Sequence, residues 1–315
     1  MALTPDQIGQ QNAAEVFARR QAARASRQAA LAAHPAPVQI RTMLATPALA
    51  TPATASATTA GFLVAMGDSW FDYPLHDVLK LLDDQFGYNV ESAAHAGDPL
   101  EAMVSPVGQL DKFGRCLDKV KAQGAIPKAA LLSGGGDDIA GKEFGMLLNN
   151  ATSAIAGWNS EILDGVINQR IKTAYLTMFA AIDSYCQKDG IATPPILVHG
   201  YGYPVPDGRG FLGGWPFPGP WLKPGFDEKE FEDLASNVTM MVTIIDEFNT
   251  MLAALAAANA NVHYIDLRGT LSNALANDAY QQFWANELHP TEPGFADVAA
   301  KFDAVLKTLP QNTLP

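Results

Sequence analysis

Five short apolar runs, each followed by a longer stretch with helical spacing, constrain this chain more than any other feature. The runs are GFLVAMG from Gly61, YNVESAA from Tyr88, KAALLSGGG from Lys128, PPILVHGY from Pro194 and NVHYIDLRG from Asn261. Helical patterns follow near 75–86, 100–123, 160–189, 228–259 and 293–308. KAALLS shows no polar alternation, as expected of a strand covered on both faces. Strand then helix, five times over, predicts an α/β domain with a parallel sheet and right-handed crossovers. In such sheets the reactive side chains gather at the C-terminal ends of the strands.

Those ends are chemically distinctive. The first strand runs into Gly67, Asp68 and Ser69, and the aromatics Trp70, Phe71 and Tyr73 follow. The second ends near His95 and Gly97, and the third in SGGGDD, Ser133 to Asp138. The last helix is preceded by NELHP, which carries Asn286, Glu287 and His289. A serine, a glycine, a Gly-rich turn with a polar pair and a late histidine all fall on one predicted edge.

Gly67-Asp68-Ser69, Gly97, GGDD at 135–138 and NELHP at 286–290 resemble the four blocks of the SGNH, or GDSL, hydrolase superfamily. They stand in that family's order over about residues 61–308. The resemblance implies a flavodoxin-like three-layer α/β/α sandwich on a five-stranded parallel sheet. It implies a serine esterase or lipase that acts on carboxylic esters. Ser69 then matches the nucleophile, His289 the general base, and the N–H groups of Ser69 and Gly97 two oxyanion donors. Attack on an ester needs a base for the hydroxyl proton and fixed donors for the new negative charge.

Two positions depart from the pattern. The third block normally carries an Asn whose side chain is a third oxyanion donor, and here that position is Asp137. The last block normally carries an Asp that orients the base, and here it is Asn286. An Asn oxygen can accept from the imidazole N–H but brings no charge to the imidazolium. Glu287 is a second candidate to orient His289. Asp137 would repel an oxyanion when ionised and could donate to it when protonated. A protonated Asp137 and a neutral His289 together predict a narrow pH profile. Two other functions remain open: a carbohydrate O-acetyl esterase, and a weakly active binding protein on the same fold.

The stretch from Tyr201 to Phe226 is rich in Gly, Pro and aromatics and should lie over the same edge. It fits either a substrate wall built from Trp215, Phe217 and Trp221 or a long loop fastened by its own rings. Trp70, Phe71, Tyr73, His199 and His263 read as packing residues. Cys116 and Cys186 read as small buried side chains rather than a disulfide or zinc framework. SGGG lacks the Lys-Ser/Thr of a phosphate loop, and Asp68, Asp137 and Asp138 lack the His or Cys spacing of a metal site. Neither a metal nor a cofactor is therefore expected.

Residues 1–60 read as a separate segment. An Ala-rich, solvated amphipathic helix over 5–33 leads into a Pro/Ala/Thr linker over 35–60, and the hydrolase-like domain occupies 61–315. Residues 1–41 hold five arginines against Asp6 and Glu15, although the whole 315-residue chain carries −12. That net charge argues against a nucleic-acid partner. No run approaches the ~18 apolar residues of a membrane span. The partner expected is a small-molecule, glycan or lipid ester. No secretory signal is visible, so the expected location is cytoplasmic, with non-classical export open.

Overall fold

A computed structural model describes residues 2–33, 59–141, 143–214 and 216–310. Most of the 35–60 linker and Trp215 lie outside the described residues. Five strands, β1 (Gly61–Met66), β2 (Tyr88–Ser92), β3 (Pro127–Leu132), β4 (Ile196–His199) and β5 (Val262–Ile265), form one sheet. All pair in parallel, in the order β2-β1-β3-β4-β5. This is the flavodoxin-like order, which reverses direction next to β1. Every residue of the central β3 is buried, which explains the apolar run Ala129–Leu132; Lys128 at its start donates through Nζ to Leu309 O at 3.2 Å. The edge strand β2 is only partly covered.

Helix α1 spans Pro5–Ala33, α2 Val78–Phe86, α3 Gln109–Ala122, α4 Lys172–Lys188, α5 Leu234–Ala258 and α6 Glu292–Leu306. α2 packs on α6 over one face of the sheet, and α3, α4 and α5 pack in succession over the other. The helix starts are written locally. Asp77 accepts from Lys80 N at 2.8 Å, Asp233 from Ser236 N at 2.8 Å and Thr291 from Gly294 N at 3.2 Å. Each supplies an acceptor for an otherwise orphaned N–H of the first turn. Among the described residues one helix, α5, is long and apolar enough by length and composition to cross a membrane. Its buried side chains include Val238, Met241, Ile244, Phe248 and Leu252, which join the domain core.

The expectation of a solvated N-terminal helix is corrected. α1 lies along α4 and touches α3. Ala13 and Val16 are fully buried, and Phe17 meets the ring of Tyr185 edge-on at 5.7 Å. A Cβ on Gly9 would stand 2.4 Å from the Thr177 carbonyl oxygen, so only glycine permits this approach. Arg20 and Arg24 both pair with Asp118, and Arg24 also reaches Asp189 at 2.8 Å. The local excess of arginine is thus answered by acids of the domain. Val16→Asp would bury an unpaired carboxylate in this seam, and a loss of roughly 2–4 kcal/mol is expected in chemical denaturation. Stability equal to that of the parent would mean that α1 does not hold this position in solution.

Candidate active site

The turn after β1 is fastened from three sides. Gly67 has no room for a side chain, since a Cβ would meet Phe71 at 2.8 Å and Ser133 at 2.9 Å. The buried Gln109 amide accepts from Gly67 N and donates to Gly67 O, each at 2.8 Å. Asp68 is buried, and its carboxylate accepts from Trp70 N at 3.0 Å, from Ser133 Oγ at 2.6 Å and from the Tyr201 hydroxyl. One side chain therefore ties together the ends of β1, β3 and β4. Trp70 Nε1 donates to Leu288 O at 3.0 Å, which joins the Ser69 turn to the turn bearing His289.

Across that join, Ser69 Oγ lies 2.7 Å from His289 Nε2. His289 Nδ1 lies 3.0 Å from Asn286 Oδ1. The same Asn286 oxygen accepts from the backbone N–H of Leu288 at 3.0 Å and of His289 at 2.9 Å. Two obligatory donors fix that atom as the oxygen, so the histidine must present Nδ1–H to it. Nε2 is then the free acceptor and takes the Ser69 hydroxyl. The Asn286 amide donates to the Tyr73 hydroxyl at 3.1 Å, and the Tyr73 ring stacks on His289 at 4.4 Å. Burial alone, with no anion beside it, pushes the His289 imidazole down to about 3.

Gly97 follows β2 with φ of +87°, a left-handed conformation that favours glycine. Its N–H points at the carboxyl of Asp137. Asp137 stands in the short helix Gly136–Ile139 after β3. Its Oδ2 is buried without a hydrogen-bond partner. Burial first, then the neighbouring carboxylates Asp68, Asp138 and Asp98, push Asp137 up to about 7. Asp138 accepts from Leu100 N at 3.0 Å and faces Arg170 at 3.6 Å, so it has partners that Asp137 lacks.

The loop from Tyr201 to Phe226 covers this edge, and its fastening is a correction. Glu287 does not orient His289. Its fully buried carboxylate accepts from Gly208 N at 2.9 Å, Trp221 N at 2.6 Å, Leu222 N at 2.8 Å and Lys223 N at 3.0 Å. It is the clasp that closes the loop onto the histidine turn. Burial raises its pKa, and the four N–H donors oppose that rise. Trp221 is thereby set edge-on to His289 at 5.4 Å. Phe217 is 46% exposed and packs edge-on against Phe211, whose ring in turn meets Tyr73 at 5.5 Å. Ile139, Pro204, Leu222, Met241, Ile245 and Phe248 supply an apolar wall to the cleft beside Ser69.

The remaining candidates are structural. His199 is fully buried among Trp70, Phe71 and Phe302, and its Nδ1 bonds Gly200 O at 2.7 Å. Cys116 and Cys186 are free and buried, and burial raises their thiols to about 11 and about 12. Among the described residues no group of three or more His, Cys, Asp or Glu is placed to hold a metal. Gln109, Ser133 and Tyr201, which support the serine turn, carry no local sequence signal, because their partners lie 42 to 133 residues away.

Solved structures similar to this chain include a lipolytic G-D-S-L family member from Veillonella parvula. It is 16% identical with a TM-score of 0.40, over 79% of this chain and 99% of that one. LAE5, an alpha/beta hydrolase enzyme from the metagenome of Lake Arreo, is 13% identical with a TM-score of 0.42, over 80% and 98%. A catalytic mutant of Axe2, an acetylxylan esterase from Geobacillus stearothermophilus, is 13% identical with a TM-score of 0.40, over 79% and 94%. No protein-family model matches the chain, and no curated protein sequence does.

Proposed function

We propose that this protein is a serine ester hydrolase of the SGNH type. The observation that carries the reading is the continuous relay from Ser69 Oγ to His289 Nε2 and from His289 Nδ1 to Asn286 Oδ1. In this mechanism His289 takes the Ser69 proton as Oγ attacks the ester carbonyl. The N–H groups of Ser69 and Gly97 receive the oxyanion, and a neutral Asp137 is the third donor. His289 returns the proton to the leaving alcohol. Water then attacks the acyl-enzyme with His289 again as base, and Ser69 leaves with the proton.

A fluorophosphonate probe tests this directly. Intact protein should acquire one phosphonyl group, located on Ser69 by peptide mass analysis, and Ser69→Ala should acquire none. A folded protein that resists the probe at all concentrations would replace the enzyme with a binding protein on the same fold.

A further inference from the structure

We propose that Tyr201 is a positioning residue of the oxyanion site: its hydroxyl caps one oxygen of Asp68 and so leaves the proton of Asp137 free for the substrate oxyanion. The proposal rests on Ser69 being the nucleophile. A neutral carboxylic acid beside a carboxylate gives its hydrogen to that carboxylate, because the charge-assisted bond is short and strong. Asp68 is such a carboxylate, the foremost of the charges acting on Asp137. An acid bonded to Asp68 has no hydrogen left for an oxyanion, so a third group must hold the two apart.

Tyr201 stands at that place. It follows β4, and its ring is fixed edge-on to Trp70 at 5.1 Å and beside Phe248 at 5.5 Å. The hydroxyl donates to Asp68 Oδ2 and accepts from Gly136 N at 3.2 Å, so its single hydrogen is spent on Asp68. Burial and the charge of Asp68 keep the phenol protonated. A Cβ on Gly136 would lie 3.3 Å from this hydroxyl and 3.6 Å from Asp68 Oδ2, so both groups border the residue before Asp137. The other Asp68 oxygen accepts from Trp70 N at 3.0 Å and Ser133 Oγ at 2.6 Å. Asp137 Oδ2, by contrast, is buried with no hydrogen-bond partner, in the lining that Asp137 shares with Ser69. The remaining ionisable groups nearby have partners of their own. Asp98, after β2, accepts from Gln109 at 3.0 Å. Asp138, on the same short helix, accepts from Leu100 N and faces Arg170, which also reaches Glu101 at 3.4 Å. Tyr175 of α4 donates to Gly134 O at 2.8 Å, and His199, which faces the charge of Asp68, bonds Gly200 O.

Tyr201→Phe removes the hydroxyl and keeps the ring. Asp137 should then donate to Asp68, and kcat/KM at pH 5.5 should fall about 100-fold for the lost oxyanion donor. A proton shared between two carboxyls is harder to remove, so the alkaline fall should move from about pH 7 upward by at least one pH unit. Asn at 137 has two amide hydrogens, one for Asp68 and one for the oxyanion, so Tyr201→Phe should cost at least tenfold less in an Asp137→Asn background. A hydroxyl that only holds the turns together would lower the whole profile, leave the fall near pH 7 and cost the same in both backgrounds, and that result overturns the proposal. If Tyr201→Phe does not fold, infrared difference spectra of the parent against Asp137→Asn decide. An isolated carboxylic-acid C=O band that vanishes as pH passes about 7 is expected, and the broad absorption of a carboxyl–carboxylate pair overturns the proposal. Fluorophosphonate labelling keeps the two readings distinguishable. With Ser69 of the parent labelled, an unmoved alkaline fall removes the role of Tyr201 alone, whereas an unlabelled parent removes the nucleophile and that role with it.

Discussion

Ester hydrolysis by this protein should weaken as pH rises through about 7, and Asp137→Asn should remove that fall. Asp137 is the group with its titration in that range, pushed up to about 7 by burial and by the carboxylates of Asp68, Asp138 and Asp98. Below that pH the side chain is a neutral acid with a hydrogen to donate. Above it the side chain is an anion beside a developing anion. One oxyanion donor is worth roughly 10²–10³ in rate. kcat/KM on a neutral ester should therefore drop by up to about 100-fold between pH 5.5 and 9, since a group titrating at about 7 is still about 1% protonated at pH 9. The Asn variant should be flat there and should exceed the parent at pH 9 by a similar factor. Overlapping profiles at high pH would remove Asp137 from the oxyanion site.

Stability supplies an independent arm with a definite sign. Asp137 has a folded pKa above its ordinary carboxylate value, so the native state binds its proton more tightly than the unfolded chain does. That contribution is complete below the unfolded pKa and is lost as pH rises through about 7. Asp137→Asn should thus stabilise the protein at pH 8 relative to the parent, and the difference should shrink toward pH 4. The narrow profile expected from sequence is also revised. A buried His289 held down to about 3 leaves the acid side open, so activity should persist to pH 4–5.

What the sequence reveals follows from which forces are local. β3 reads as a buried strand because both its faces are covered, so Ala129 to Leu132 are all apolar, while the buried Lys128 sends its amine out to Leu309 O. Asp77, Asp233 and Thr291 announce their helices because a cap acts within three residues. Ser69, Gly97 and His289 are visible because each stands just past a strand or just before a helix. The role of Glu287 was hidden, since one turn's orientation decides whether a carboxylate meets a histidine or a loop. The docking of α1 was hidden for a different reason. Arg24 finds its acids 94 and 165 residues away, and the helix viewed alone has only a weakly apolar face. Phe217 and Trp221 look alike in composition, yet the bond from Trp221 N to Glu287 brings only one of them to the histidine.

Asn286→Asp should make the enzyme faster at pH 6 and slower at pH 4, so that its pH profile crosses that of the parent. The imidazole now has a neutral acceptor at 3.0 Å and no anion to favour its charged form. A carboxylate in the same place keeps every other contact. It accepts from the N–H groups of Leu288 and His289 as the amide oxygen does, and the Tyr73 hydroxyl can turn to donate to it. The new charge stabilises imidazolium, so the His289 pKa must rise from about 3 toward the ordinary histidine range. At pH 4 the base is then protonated and cannot take the Ser69 proton, and activity is lost. At pH 6 at least about a quarter of the base is still free, since its pKa rises no further than the ordinary ~6.5, and the imidazolium formed during attack has a counter-charge. The opposite change in a serine protease triad, Asp to Asn, costs about 10⁴ in kcat. At least a tenfold gain in kcat/KM is therefore expected here, short of the full factor because the parent's tautomer is already correct. Combining Asn286→Asp with Asp137→Asn moves the acid from the oxyanion side of the serine to the base side, and the double variant should keep the gain up to pH 9. An acid limb that stays near pH 3 in Asn286→Asp, or a rate at pH 6 no higher than the parent's, would show that His289 is not the group whose charge limits the reaction.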